Sequence, residues 1–425
     1  MIIDGITIKP TKKYTFNENG NHTILFSFFP FNESTKNKSI GIFNGIENLL
    51  NVEFSFYHFD VPDVSLIKMF NNCINLISVD FSKLSLNDNL HPYNEHCEYF
   101  FIMDYTFNNC IKLEFVNFSI STPKCLLIHS TNFMFNNCIS LTSIDLSVFC
   151  FYYGYFKDYK SGLNNMFSNC ISLKDINVGS DYYSSDSSNP VNMSYMSYNC
   201  SSLTSIDLSS FESFHYFNDM SYAFAYCYQL KEIIFEFIYN FDLKYMSNAF
   251  RNCTSLVNVD LFLYTFFVED MSYLFYGCIS LTNISFISAS SKNTHKYMNY
   301  MFYDCRSLKS ISHLYFFNES QIFIRGSDLQ DISYMFSGCS SLTSIDLSKF
   351  ITRNVKNYEG LFYNCPKLEY IDISSFTHNN LPKSNLSIFN NNSPLKGTIY
   401  INKDFLNRIE IPPTLQIQTE TNNND

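Results

Sequence analysis

Residues 335–350 read MFSGCSSLTSIDLSKF, and residues 134–149 read MFNNCISLTSIDLSVF. A phrase written twice at that distance is either a motif in a duplicated domain or one turn of a repeating structure, and counting copies separates the two. Aligned on the cysteine, the same frame starts at Cys73, Cys110, Cys138, Cys170, Cys200, Cys227, Cys253, Cys278, Cys305, Cys339 and Cys365. Three residues after the cysteine, at position C+3, every copy has Leu, from Leu76 to Leu368. C+6 is Ile or Val in every copy, from Val79 to Ile371. C−3 is Phe in all copies but one, which has Ser197, and C+8 is apolar in all but one, which has His313. Successive cysteines lie 37, 28, 32, 30, 27, 26, 25, 27, 34 and 26 residues apart. Two degenerate copies flank the series, with Ile46 and Asn392 in the cysteine slot. The phrase is one turn of a repeat. A continuous array over roughly residues 41–400 replaces the two or three globular domains that 425 residues would ordinarily suggest.

C+6 and C+8 alternate with polar C+5, C+7 and C+9, which describes a short strand with one buried face. Upstream, Met246, Ala249 and Phe250 before Cys253 have helical spacing, as do Met271, Leu274 and Phe275 before Cys278. Each unit therefore reads as one to two helical turns, a bend at the cysteine and a short strand. Such a unit cannot fold alone. Fixing ~26 residues costs about 1–2 kcal/mol each, while six buried side chains return about 1.5–3 kcal/mol each. Stacking lets each unit bury both flanks against its neighbours. The expected fold is an α/β repeat solenoid of about 13 units, with a parallel concave β-sheet and short convex helices. Residues 1–40 alternate enough for a few strands and are expected to form a small β-rich N-terminal cap over the first open edge. Residues 401–425 are expected to be a C-terminal cap and polar tail.

The frame MFxxC-xx-L-xx-I-D-L-S, as in MFNNCISLTSIDLS and MFSGCSSLTSIDLS, resembles the BspA-like leucine-rich repeats of bacterial and protist surface antigens. The stretch DGITIKPTKKYTFNENGNHTILFSF is also similar to the β-rich leader of some members. The resemblance covers almost the whole chain. It departs from the family in its irregular spacing, in the missing Phe of the Cys200 unit, and in showing no secretion signal or membrane anchor. It implies a leucine-rich-repeat fold and a non-enzymatic, adhesin-like role at the cell surface or in secreted form. The implied partner is a protein, of the host extracellular matrix or of a cell surface. The opening MIIDGITIKPTKKYTF lacks a basic segment followed by an apolar one, so a cytoplasmic interaction scaffold is the alternative. A third reading, a β-solenoid enzyme that cuts polysaccharide with paired carboxylates, fits poorly with the helical spacing of the MxxMF segments.

Net charge is −11 and the basic residues are scattered, which argues against binding nucleic acid. No stretch approaches the ~20 apolar residues of a membrane span. Of 14 cysteines, eleven share one register, and an odd number of equivalent positions cannot all pair with each other. They are expected to be small buried apolar residues with a weak S–H donor, which suits a reducing setting. Cys97, Cys125 and Cys150 fall outside the register and are free to bridge locally. The abundance of Phe and Tyr, with no Trp, is discounted as a mark of an AT-rich genome.

No G-x-S-x-G, P-loop, H-E-x-x-H or C-x-x-C occurs, so no catalytic residue, cofactor or metal is expected. His91, His96 and Cys97 are zinc ligands by type but lack a fourth member. The C+7 column, which includes Asp80, Asn117, Asp145, Asn177, Asp207, Asp260, Asp346 and Asp372, is expected to face outward as a solvated row. Calcium on that row is a minor alternative.

Four consecutive units break the polar pattern. C+7 is Ile234 in the first, and C+9 is Phe262, Ile287 and Leu314 in the next three, where most units have Ser. With the register kept, these form an apolar strip on the sheet, beside Glu232 and Glu236, and an exposed apolar strip marks a candidate protein-binding surface. The opposing reading ends these strands one residue early and folds the residues inward. His313, at a core-facing position, favours that opposing reading.

Overall fold

The computed structural model describes residues 41–53, 57–59, 63–86, 100–119, 126–151, 162–178, 180–181, 191–209, 217–234, 243–261, 268–287, 295–311, 314–315, 328–377, 387–389 and 395–420, with the short strands Ile2–Ile3, Ile6–Thr7 and Ile24–Leu25. The β-branched C+6 residue and its polar neighbours form a short strand in unit after unit, and the strands pair in parallel with C+6 opposite C+6. Val52, Val79 and Val116 make one such row. Ile144 pairs with Ile176, Ile206 with Ile233, and Val259 with Ile284. At the C-terminal end the row runs Ile345, Ile371, Ile399, Ile417, carried by strands that extend to Glu420. Ile2–Ile3 pairs antiparallel with both Ile6–Thr7 and Ile24–Leu25.

In several units the C+7 side chain caps the end of the strand. Asp80, Asp145, Asp207, Asp346 and Asp372 each accept the backbone N–H of the serine two residues on, at 2.8–3.0 Å. This is the Asx turn, in which a short polar side chain mimics a backbone turn. The strands of Asp80, Asp145, Asp207 and Asp346 end at the carboxylate, and that of Asp372 one residue later; Asp145, Asp207 and Asp346 are also exposed, as expected. Ser285 occupies this position in the Cys278 unit, and there the strand runs on to Ile287.

The segments expected as short convex helices are turns instead. The only α-helix among the described residues is Lys403–Leu406. Each unit holds two left-handed residues, at C−5 and C−1, such as Asn248 (φ 59°) and Asn252 (φ 57°). Two successive four-residue turns share the 3–4 spacing of a helix, so the hydrophobic pattern alone does not separate them. The backbone accounting does. In the Cys253 unit, the N–H groups of Met246, Asn248, Phe250 and Asn252 donate to Asp270, Ser272, Leu274 and Tyr276 of the next unit, at 2.7–2.9 Å. The intervening N–H groups of Ala249, Arg251 and Cys253 close turns within the unit, at 3.1–3.2 Å. A helix would satisfy these groups internally. Here half of them hold the next unit in place.

This arrangement explains the cysteine. The C−3 carbonyl accepts its own unit's cysteine N–H, leaving one lone pair in an apolar interior. The next unit's thiol fills it. Cys278 Sγ donates to Phe250 O at 3.1 Å, and all eleven cysteines repeat the contact, from Cys73 onto Phe43 O at 2.9 Å to Cys365 onto Phe336 O at 3.0 Å. All eleven are free and buried, as the sequence suggested. Burial pushes their thiols up, to about 11 for Cys73 and about 12 for Cys170, Cys227, Cys278 and Cys365. Cys150, outside the register, is disulfide-bonded.

The C−3 phenylalanines stack along the axis. Phe43, Phe70, Phe107, Phe135 and Phe167 follow at 5.2–5.6 Å between ring centroids. A second run goes from Phe224 to Phe389 at 5.4–6.0 Å. Ser197, fully buried, separates the two. At C−10 the core takes Leu243, Val268, Leu329 and Val355, with His295 buried in the same column.

A candidate interaction surface on the turn side

Positive φ suits Gly and Asn and is unfavourable for large side chains. The C−1 column obeys that preference, with Asn72, Asn109, Asn137, Asn169, Asn199, Asn252, Gly277, Asp304, Gly338 and Asn364, and only Tyr226 departs from it. The C−5 column does not. Tyr105, Phe133, Tyr195, Tyr222, Tyr273, Tyr300 and Tyr334 all sit there at φ 53–59°. Such a residue costs about 1 kcal/mol or more and persists only where the surroundings enforce it.

Stacking is what enforces it. Tyr105 lies on Phe133 at 4.8 Å, and Tyr195 on Tyr222 at 4.8 Å. Tyr273 lies on Tyr300 at 4.7 Å, and Tyr300 on Tyr334 at 5.0 Å. This last stack ends on Gly360, where an added Cβ would sit 2.3 Å from the Tyr334 ring. Beside it, at C−2, Tyr276 stacks on Tyr303 at 4.8 Å. Tyr198, Tyr226 and Tyr228 continue the aromatic surface edge to face, and Tyr228 and Tyr363 are exposed at 40% and 45%.

Two cations lie over these rings: Lys68 Nζ is 5.5 Å from the Tyr105 centroid, and Arg251 lies among the tyrosines of the later units. The Arg251 guanidinium covers Tyr276 at 4.3 Å and Tyr273 at 5.5 Å, and its Nη1 donates to Asn248 Oδ1 at 3.0 Å. Its Nε is buried without a partner among the described residues. Burial raises the phenols of Tyr195, Tyr198, Tyr273, Tyr300 and Tyr303. Tyr334 is pushed up to about 12, first by its hydrogen bond to Glu359 Oε1 at 2.9 Å. These groups remain neutral hydroxyls at physiological pH. In the first units the C−2 column is polar instead. Asn44, Asn71, Asn108 and Asn136 form an amide ladder at 2.7–2.9 Å.

The strip expected on the sheet is only partly assembled. Glu232 and Ile234 lie on one strand and point outward, Ile234 being 39% exposed, and that strand pairs with Ser205–Asp207. Ile287 lies in a separate ladder, at the end of Asn283–Ile287. Glu236, Phe262 and His313 fall outside the described residues. Leu314 requires a correction. It pairs with Phe286, a C+8 residue, and it is Tyr315 that pairs with Ile287. One extra residue after Ile311 shifts the strand by a position, and such a slip exchanges the two faces.

His91, His96 and Cys97 fall outside the described residues. Among the described residues no group of three His, Cys, Asp or Glu is placed to hold an ion. No helix among them is long and apolar enough to cross a membrane.

Residues 94–213 and 220–332 match the family described as BspA type leucine rich repeat region, in six copies. The chain is a BspA-type leucine-rich-repeat protein. Residues 316–400 of this BspA-type chain also match a family described as a Mycoplasma protein of unknown function. No curated protein matches the chain. Among solved structures it is similar to a leucine-rich repeat protein from Bacteroides ovatus, at 18% identity over 89% of this chain and 85% of that one, with a TM-score of 0.45. It is also similar to a leucine rich cell surface protein from Faecalibacterium prausnitzii, at 14% identity over 88% and 89% of the two chains, with a TM-score of 0.33. An internalin from Listeria monocytogenes matches at 14% identity over 89% and 88%, with a TM-score of 0.25. The BspA-type repeats build a protein-binding solenoid, a class of interaction modules.

The aromatic column lies outside the C−3 to C+9 frame and becomes visible in the sequence only when C−5 is aligned as well.

Proposed function

We propose that this BspA-type chain is a non-enzymatic, adhesin-like protein that binds other proteins through the tyrosine surface on its turn side, at the cell surface or in secreted form. One observation carries the reading: seven aromatic side chains in one column are kept at positive φ, where Asn or Gly would carry less backbone strain. A local rule broken in series without benefit to the core points to function. Tyr and Arg are also the residues enriched in the energetic centres of protein interfaces. The strip of Glu232, Glu236, Ile234, Phe262, Ile287 and Leu314 takes a subordinate place, because its register is interrupted. The disulfide at Cys150 supports an oxidising setting, whereas the eleven free thiols, held by packing, are compatible with either compartment.

The test combines location and adhesion. Intact and permeabilised cells expressing the tagged chain are stained, and the purified chain is applied to surfaces coated with extracellular-matrix extract. Staining of intact cells, with adhesion weakened by Tyr273→Ala plus Tyr300→Ala and unchanged by Ile234→Ser, supports the proposal. Staining only after permeabilisation transfers the protein to an intracellular scaffold role. Adhesion lost with Ile234→Ser alone moves the interface to the sheet.

A further inference from the structure

We infer that Arg251 and the tyrosines around it form an anchoring pocket for an acidic side chain on an extended protein segment. This deepens the proposed function and rests on it.

Arg251 is the observation that points to an anion. Its guanidinium lies 4.3 Å from the Tyr276 centroid and 5.5 Å from that of Tyr273, and Nη1 donates to Asn248. Among the described residues no carboxylate pairs with it, although three other ion pairs form. One internal donation is made, and its Nε faces no acceptor. A guanidinium oriented by aromatic stacking and lacking its own counter-ion matches the planar, two-oxygen geometry of a carboxylate. The phenols of Tyr198 and Tyr273 stay protonated beside it and supply further donors.

The stacking also selects the class of partner. Sugars and nucleobases bind aromatic residues through exposed ring faces. In the stacks beside Arg251 the faces are spent on one another, at 4.7 and 4.8 Å and nearly parallel at 3°. With those faces paired, ring edges and hydroxyls are left for a ligand, and they suit apolar side chains and backbone carbonyls. A net charge of −11 further opposes a polyanion such as a sulfated glycan, while one or two carboxylates flanked by apolar residues are tolerated. The chemistry therefore fits a peptide segment carrying Asp or Glu with aliphatic or aromatic neighbours.

The experiment selects phage-displayed random linear peptides on the immobilised full chain, with a heparin oligosaccharide as the competing polyanion. Enriched peptides should share an acidic residue beside an apolar one. Their binding should fall roughly tenfold or more, equivalent to about 1.4 kcal/mol, in both Arg251→Ala and Arg251→Lys, the second keeping the charge and losing the planar fork. Melting curves of both variants should overlay the parent. Several results overturn the inference: no enrichment, enriched peptides without a carboxylate, binding indifferent to Arg251→Lys, or displacement by heparin at lower concentration than by the acidic peptides. Peptides that lack a carboxylate yet are lost with Tyr273→Ala and Tyr276→Ala would leave the tyrosine surface as the interface and remove only the acidic anchor. Peptides indifferent to those tyrosines would remove both.

Discussion

His295 offers the sharpest test of how this array holds together, because it places a titratable ring in a column that holds Leu or Val in the Cys253, Cys278, Cys339 and Cys365 units. It is 3% exposed, and its Nδ1 lies 2.6 Å from the Val268 carbonyl of the preceding unit, so that nitrogen carries the proton and donates it. Burial lowers its pKa from 6.5 to about 4, against the smaller opposing effect of that hydrogen bond. The direction of the stability change follows. Above pH 6.5 the ring is neutral folded and unfolded, and it adds nothing. As pH falls, the unfolded chain takes up a proton that the folded chain refuses until about pH 4, so stability is lost across that window. The interval from 6.5 to about 4, at about 1.36 kcal/mol per pH unit, corresponds to about 3 kcal/mol. The assay is hydrogen exchange of the Met298–Phe302 segment at several pH values, in the parent chain and in His295→Leu, the residue used at positions 243 and 329 of the same column. The parent should lose about 3 kcal/mol more local protection than the variant between neutral pH and pH 4. Carboxylates titrate in both proteins and cancel in the comparison. Equal pH slopes would refute the reasoning and show that the folded state accommodates the charged ring.

Two further outcomes test other parts of the architecture. Because burial raises the thiols, iodoacetamide at pH 8 should modify none of the eleven register cysteines until the array unfolds, with Cys73, whose thiol rises least among those with a value, labelled first; rapid labelling of native Cys227 or Cys278 would contradict the hydrogen-bonded column. Leu256→Asp buries a charge at a fully enclosed position and should melt the Cys227 to Cys278 units before the rest, visible as local loss of exchange protection. A single global transition would argue that cooperativity extends over the whole array.

What could be read in advance depended on whether a position is defined by burial or by backbone geometry. Leu at C+3, Ile or Val at C+6 and Phe at C−3 are dictated by the core, so the strand, its parallel register and the stacked units were legible from residue type alone. The turn segments were not. Met246, Ala249 and Phe250 meet the spacing of a helix and equally of two consecutive turns, and the deciding signal was the run of Asn, Gly and Asp at C−1, a preference for positive φ rather than for burial. The one-residue slip at Leu314 was half legible, since His313 in a core slot announced a disturbance without giving its direction. The aromatic surface failed differently. Its members obey no burial periodicity and contradict the propensity of their backbone, which is where sequence rules are expected to yield to function.

The ladder of hydrogen bonds between turn segments also bears on the number of turns. Every unit offers its successor the same row of N–H donors, so removing one whole turn, from one C−8 residue to the next, rejoins an equivalent ladder. The spacings of 25 to 37 residues show that the length between turns varies while the ladder stays intact. A chain with one turn more or fewer would therefore keep the same fold. The Tyr273, Tyr300 and Tyr334 stack spans three successive turns, so a deletion inside it removes the surface while sparing the fold.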